Sequence, residues 1–477
     1  MNSTFKCNPY AYYFTIIASC LLFISELNAQ NQSPNIILIM TDDQGWGDTG
    51  YNGHPLLKTP NLDAMVSNGV EFTRFYAASA VCSPTRGSVI TGRHPLRYGI
   101  CYANCGHILP EEITLAEMVK EVGYTTGHFG KWHLGTLTET ELDANRGGRP
   151  NQIKHYSPPW ENGFDECFVT ESKVPTWDPM VTPPFHSGGV IKSQVEGEYY
   201  GTAYWTGPGV KATENLEGDD SRVIMDRVIP FIDQAVEKGK PFLSVVWFHT
   251  PHLPVLTGQK YRKMYSHLSE DEQHYFGCIT AMDEQVGRLR NHLIDLGIEK
   301  NTVLFFTSDN GPEGENSHVG RTRGSTKGLR GRKRSLHEGG IRVPGIMEWP
   351  GQISPGTTVE VPCFTSDYFP TIAHIIGVDI GKYNRPYDGQ NLLEIINEQA
   401  TERYLAFRIE NQAALIGNQY KIYSDDNGQT FSMYDLINDP DEDEDLSPKK
   451  ANFKANLVSR WKSWSISLEN SAKGEDY

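Results

Sequence analysis

Three short apolar runs constrain this chain more than any other feature. Asn35–Met40 (NIILIM), Phe242–Phe248 (FLSVVWF) and Thr302–Ser308 (TVLFFTS) are continuous, with no polar alternation. Such runs must be covered on both faces, which is the setting of an interior strand in a parallel sheet. Between and around them lie stretches of helical period: Pro60–Val70, Ile113–Gly123, Ser221–Gly239 and Cys278–Gly297. Tyr124–Trp132 (YTTGHFGKW) reads as a fourth strand after the second of these helices. The expected fold class is therefore α/β, with a mainly parallel central sheet sandwiched by helices.

Two regions depart from that rhythm. Residues 136–215 are rich in Pro, Gly, Trp and Tyr, and are expected to form a substrate-facing insertion over one end of the sheet. Ala413–Leu436 alternates around an Asp-Asn-Gly turn, followed by the acidic loop Asp439–Pro448 and an amphipathic stretch, Lys454–Leu468. These features predict a smaller C-terminal subdomain of antiparallel sheet plus helix over 365–477, after a main domain over 30–364. The first 29 residues have the form of a signal peptide: Lys6, an apolar run from Tyr12 to Ile24, and a cleavage site after Ala29. A competing reading of the same stretch is lipid attachment at Cys20. Either way the mature chain is expected to be exported, to the periplasm or beyond, with no integral membrane segment. The formal charge of −16 opposes nucleic-acid binding. Past Ala29 the cysteines are Cys82, Cys101, Cys105, Cys167, Cys278 and Cys363, too few for a disulfide scaffold in a chain this long, and without the CxxC or His-rich finger spacing of a structural zinc site; Cys101 and Cys105 could pair locally.

In a parallel α/β sheet ligands bind beyond the carboxyl ends of the strands. The residues that follow each predicted strand are Asp42 and Asp43; Lys131 and His133; His249 and His252; and Asp309 and Asn310. An Asp after a strand is by itself an ordinary turn or cap residue, but four strands deliver chemistry to one end. Asp42, Asp43, Asp309 and Asn310 form an all-oxygen set suited to Ca²⁺ or Mg²⁺ rather than zinc. Arg321–Arg334 holds seven cations in fourteen residues, part solvated loop and part candidate anion contact. In the stretch AVCSPTRGSVITG, Ser83 is expected as N-cap and Pro84 as first helical residue. Cys82 then sits at the positive end of a helix, with Arg86 a turn further in.

These motifs resemble the type I sulfatases of the alkaline-phosphatase-like superfamily, and in particular secreted bacterial polysaccharide and aryl sulfatases. CSPTRGSVITG and GYTTGHFGKWHLG are similar to the two family signatures, and TDDQGWGD, HTPHLP, SDNGP and LRGRKRSLHEGGIRVPGIMEWPG follow the family's order. The resemblance implies that Cys82 is oxidised to Cα-formylglycine by a formylglycine-generating enzyme, and that one hydroxyl of the aldehyde hydrate attacks the sulfur of a sulfate ester. It further implies Asp42, Asp43, Asp309 and Asn310 as Ca²⁺ ligands, and Arg86 and Lys131 as holders of the hydrate. His133 becomes the base of the second step. His252 and Lys333 contact the sulfate and leaving oxygen, with His252 as general acid; motif position favours Lys333 over Lys327. Arg332, Arg334 and Leu96 depart from the usual pattern. The expected substrate is a sulfated carbohydrate, possible contacts being Trp160, Trp177, Tyr199, Tyr200 and Tyr204, which could equally pack the insertion. The alternatives are a phosphodiesterase or phosphonate monoester hydrolase on the same scaffold, and a non-catalytic glycan-binding protein with unconverted Cys82.

Overall fold

The computed structural model describes residues 33–184, 195–314, 321–398 and 402–477. The signal-peptide and Cys20 readings lie outside these residues. In chain order the strands are β1 (Asn35–Thr41), β2 (Val70–Phe72), β3 (Phe75–Tyr76), β4 (Thr125–Lys131), β5 (Glu166–Thr170), β6 (Trp205–Gly207), β7 (Val210–Lys211), β8 (Phe242–Trp247) and β9 (Thr302–Ser308). They continue with β10 (Arg342–Val343), β11 (Gly345–Glu348), β12 (Thr357–Val359), β13 (Cys363–Phe364), β14 (Tyr404–Ile409), β15 (Gln412–Gly417), β16 (Tyr420–Ser424) and β17 (Ser432–Asp435).

Ten of these form one sheet in the order β12-β2-β11-β9-β1-β8-β4-β5-β6-β7. Its centre, from β9 to β5, is wholly parallel. Alternation along β1 explains the continuous apolar run. Ile36, Leu38 and Met40 face one core, shared with the Cys82–Thr91 and Leu115–Lys120 helices. Ile37 and Ile39 face a second core with the Pro60–Asn68, Asp220–Glu237 and Glu270–Asp295 helices. Both faces are dry, so both residue parities must be apolar. Local signals agree with this packing: Thr114 and Glu117, and Ser269 and Glu272, form capping boxes that start two of the helices.

The four strands β14-β15-β16-β17 make a separate antiparallel sheet. Leu405, Phe407 and Ile409 face the main body through Tyr76, Leu336 and Phe364, while Ala406, Leu415, Ile422 and Met433 cover Leu457 and Trp461 of the Ala451–Ala472 helix. Two boundaries differ from expectation. The Tyr368–Ile376 helix packs in the main core through Tyr368, Phe369 and Ile372, so the small sheet proper starts at Tyr404. Residues 136–215 also supply β5, β6 and β7 at one edge of the main sheet. Strand β5, ECFVT, is only five residues long and lies among Pro and Gly, which hid it from a periodicity argument.

Candidate active site

Backbone pairing places the acidic residues. Thr41 and Ser308 are register partners at the ends of β1 and β9, so Asp42–Asp43 and Asp309–Asn310 leave adjacent strands side by side. The Asp309 N–H donates to Thr41 O and the Asp43 N–H to Asp309 Oδ1, each at 3.1 Å. Asp43 holds φ at +67°, a left-handed conformation that Asp tolerates better than most residues. Beside them β4 ends at Lys131. Gly130, at φ +102°, lets it do so, because a Cβ there would lie 1.9 Å from Trp247 O of β8.

Three cations interleave with the three carboxylates. Arg86 donates from Nε and Nη2 to Asp309 Oδ2 at 3.0 and 2.6 Å, and from Nη1 to Lys131 O at 3.0 Å. Lys131 Nζ lies 2.7 Å from Asp42 Oδ2, and Lys333 Nζ 2.5 Å from Asp43 Oδ1. Burial opposes charge on Asp42, yet Lys131, His252, Arg86 and Lys333 hold it well below the usual carboxylate range. Burial, with Asp42 alongside, pushes Asp309 up to about 7. Asp42 Oδ1, Asp43 Oδ2 and Asn310 Oδ1 are buried without a hydrogen-bond partner, although Asn310 Nδ2 donates to Asp43 Oδ1 at 2.7 Å. Three orphaned hard oxygens on adjacent strand ends are what a Ca²⁺ or Mg²⁺ site requires. Asp309 retains a further lone pair on Oδ1. A bivalent ion there would add positive charge beside Arg86, Lys131 and Lys333, as an anionic substrate needs.

Cys82 reaches this site from a helix start. It is the first residue of the Cys82–Thr91 helix, with Val81 as N-cap. Ser83 is thus inside the helix and not the cap; Pro84 fits any first-turn position and so does not fix the start. Ligand atoms of Asp42, Asp43, Cys82 and His252 all lie within 4.8 Å of one another. Burial pushes the Cys82 thiol up to about 12 despite Lys131 and Lys333, which makes it a poor thiolate nucleophile at neutral pH.

The histidines separate by partner. His252 donates from Nδ1 to Leu253 O at 2.7 Å, which turns Nε2 toward Asp43 Oδ2, 3.6 Å away. Burial lowers its pKa to about 4. His249 is engaged on both sides, by Asp220 at 2.9 Å and Thr170 Oγ1 at 2.7 Å, and is structural. His133 is buried, with Nε2 2.9 Å from Asn104 Oδ1. Lys327 points elsewhere: its ammonium donates to Asn52 O and lies over the Trp46 ring. Arg334 pairs with Glu313 at 2.6 and 2.9 Å, and Arg332 donates to Gly324 O. Tyr200 and Tyr204 are fully buried, Tyr204 stacking on Phe168 at 4.0 Å, so packing accounts for both; Tyr199 is exposed.

Two residues escaped sequence reasoning. Lys173 feels Lys333, Lys131, Asp43 and Asp42, and burial together with those two lysines lowers its pKa to about 8. It lies three residues past the end of β5, beside the strand that Lys131 ends, so the strand-end rule finds it once β5 is known. Asn104 had no signal, since it lies in a loop between Cys101 and Cys105, which form a disulfide.

This fold, with its strand-end carboxylates and a helix N-terminus facing them, is alkaline-phosphatase-like. The sulfatase family model matches residues 34–378, and the model of the C-terminal region of N-sulphoglucosamine sulphohydrolase matches 331–464. Steryl-sulfatase of Rattus norvegicus is 30% identical over 436 residues, covering 79% of this chain and 74% of its own. Arylsulfatase A of Homo sapiens is 31% identical over 401 residues, covering 79% and 70%. A solved structure of Ps i-CgsB in complex with k-i-k-neocarrahexaose is 26% identical, with a TM-score of 0.75 over 92% of this chain and 94% of that one. The chain belongs to the sulfatase family, whose reaction is the hydrolysis of sulfate esters.

Proposed function

We propose that this chain releases sulfate from a sulfated carbohydrate, such as an algal-type polysaccharide or its oligosaccharides, using Cys82 after conversion to Cα-formylglycine and a Ca²⁺ ion held by Asp42, Asp43, Asp309 and Asn310. The observation that carries this reading is the trio of buried, unpartnered oxygens beside the Cys82 side chain. The sulfur stands where the converted residue would place its hydroxyls. Conversion supplies an oxygen nucleophile that no standard side chain offers, and the ion supplies Lewis-acid polarisation of the sulfate.

The chain's own groups do the rest. Arg86 and Lys131 fix the carboxylates and bring positive charge to residue 82. Lys333, whose ammonium is stabilised well above its ordinary range by Asp43 against the opposing effect of burial, faces a sulfate oxygen. His252 presents Nε2 to the leaving oxygen; the ring is neutral in the buried pocket, and the incoming anion raises its affinity for the proton it delivers. His133 accepts the proton of the second step. Carbohydrate is supported by the hexaose bound to the solved relative and by half-exposed Arg334 at the rim. Export through residues 1–29 and maturation by a formylglycine-generating enzyme belong to the same proposal. No helix among the described residues is long and apolar enough to cross a membrane.

The test is sulfate release by protein co-expressed with a formylglycine-generating enzyme. Sulfated oligosaccharides, an aryl sulfate, a phosphate diester and a phosphonate monoester would be compared, with and without a chelator. Fastest turnover of an oligosaccharide, abolished by chelation, is expected. Faster turnover of the diester or phosphonate would replace the reading with the phosphorus alternative.

A further inference from the structure

The loop Cys101–Cys105 carries a residue with a specific relation to His133. Asn104 sits at φ +60°, and its N–H donates to Ser83 Oγ, next to Cys82, at 3.4 Å. Its Oδ1 receives the Asn145 amide at 3.3 Å and lies 2.9 Å from His133 Nε2. An oxygen that already accepts from an amide NH₂ can only accept from the imidazole as well, so Nε2 carries the hydrogen. His133 Nδ1 is then a bare lone pair, and it is buried without a partner. His133 also holds φ at +59°, and its N–H donates to Glu171 O at 3.0 Å, which fixes the ring's backbone as firmly as its far nitrogen. The loop itself is short and tied. The Cys105 N–H closes a turn on Tyr102 O at 3.1 Å, and the disulfide spans the same residues. Just after it, Gly106 O accepts from Arg146 Nη1 at 2.8 Å.

The geometry points to Asn104 as a positioning residue: held by the Cys101–Cys105 disulfide, it locks His133 in the Nε2–H tautomer and so leaves Nδ1 free to accept a proton. This rests on the proposed role of His133 as a base, but the lock itself does not. Imidazole offers one lone pair when neutral, and the partner of one nitrogen decides which side has it. A ring in the other tautomer would present N–H where a lone pair is required.

Asn104→Gly removes the acceptor while keeping a backbone at ease with positive φ; Asn104→Asp keeps both acceptor and conformation. The readout is the ¹⁵N spectrum of histidine-labelled protein without substrate, with His133 assigned by His133→Gln. The original chain and Asn104→Asp should show a protonated Nε2 at His133, and Asn104→Gly a mixture of tautomers. The kcat of Asn104→Gly should fall about 10- to 100-fold with KM within about twofold, and Asn104→Asp should recover most of it. Reduction with dithiothreitol gives two thiols at Cys101 and Cys105 and the cyclic disulfide of the reagent; it should move the His133 signals in the same direction as Asn104→Gly. An unchanged tautomer in Asn104→Gly overturns the proposal, whatever happens to kcat. An unchanged tautomer after reduction overturns the part assigned to the disulfide. A shifted tautomer with unchanged kcat upholds the lock and removes His133 from the reaction, so the two claims fail separately.

Discussion

Replacing Lys421 with Met should show how the C-terminal sheet holds the segment that carries Lys333. Lys421, on β16, is fully buried, with its ammonium 3.0 Å from both Glu338 and Glu442. Around it the Glu338 N–H donates to Glu442 Oε2 at 2.7 Å, Tyr76 OH to Glu338 Oε2 at 2.9 Å, and Arg330 to Glu442 O at 3.0 Å. At an effective dielectric of about 20, each 3.0 Å pair gains about 5 kcal/mol of attraction, largely offset by desolvation. Removing the cation forfeits both gains and leaves two carboxylates facing each other, for a net loss of about 3–5 kcal/mol. The sign with pH follows from the partners. The two carboxylates raise the pKa of Lys421 against the effect of burial, so its contribution is present below its unfolded value of 10.5 and disappears as pH rises past the folded one. Although burial opposes it, Lys421 lowers the pKa of Glu442, whose contribution is present above 4.5 and disappears as pH falls. Urea unfolding followed by tryptophan fluorescence should therefore give the largest loss at neutral pH, shrinking toward about pH 4 as the orphaned carboxylates take up protons. Adding Glu338→Gln and Glu442→Gln should recover part of the loss. A loss under about 1 kcal/mol at neutral pH, or one that grows in acid, would refute the reasoning.

Other outcomes separate the roles within the site. His252→Ala should lower kcat by about 10²- to 10⁴-fold on a sugar sulfate but much less on 4-nitrophenyl sulfate, whose leaving group needs no proton; equal losses on both would count against His252 as the acid. Lys333→Ala should lower kcat/KM by about 10²- to 10³-fold on both substrates, whereas Lys327→Ala should stay close to the original in the same steady-state assay, because its ammonium is turned to Asn52 O. Asp388 resists burial's upward push through Arg97, at 2.8 Å from each of its oxygens, and is held at about 2. It should contribute about 2 kcal/mol above its unfolded value of 3.8, lost as pH falls through about 2, so Asp388→Asn should lower Tm at pH 6 and flatten its fall in acid.

The sequence made the centre of this protein legible because burial on both faces leaves a visible mark. NIILIM, FLSVVWF and TVLFFTS could be little else than interior strands, and the residues just beyond them were candidate ligands by topology alone. The rule failed where its premise was invisible. Strand β5 was hidden by its length and neighbours, so Glu171, Ser172 and Lys173 went unread at its end. Ser83 was expected as the N-cap but lies two positions inside it, because proline is tolerated throughout the first turn of a helix. Asn104 and Lys421 act through contacts distant in sequence: Asn104 lies 29 positions from His133, and Lys421 lies 83 from Glu338, separations that carry no periodic signal.

The central claim is that an oxygen nucleophile made from Cys82 attacks sulfur beside the Asp42–Asp43 ion site. The most direct measurement is the mass of the tryptic peptide containing residue 82, taken across preparations of graded maturation alongside their rates of sulfate release. Conversion lightens the peptide by about 18 Da. The account predicts a rate proportional to the lightened fraction and passing through zero. Full-speed sulfate release from protein whose Cys82 thiol is intact would contradict it.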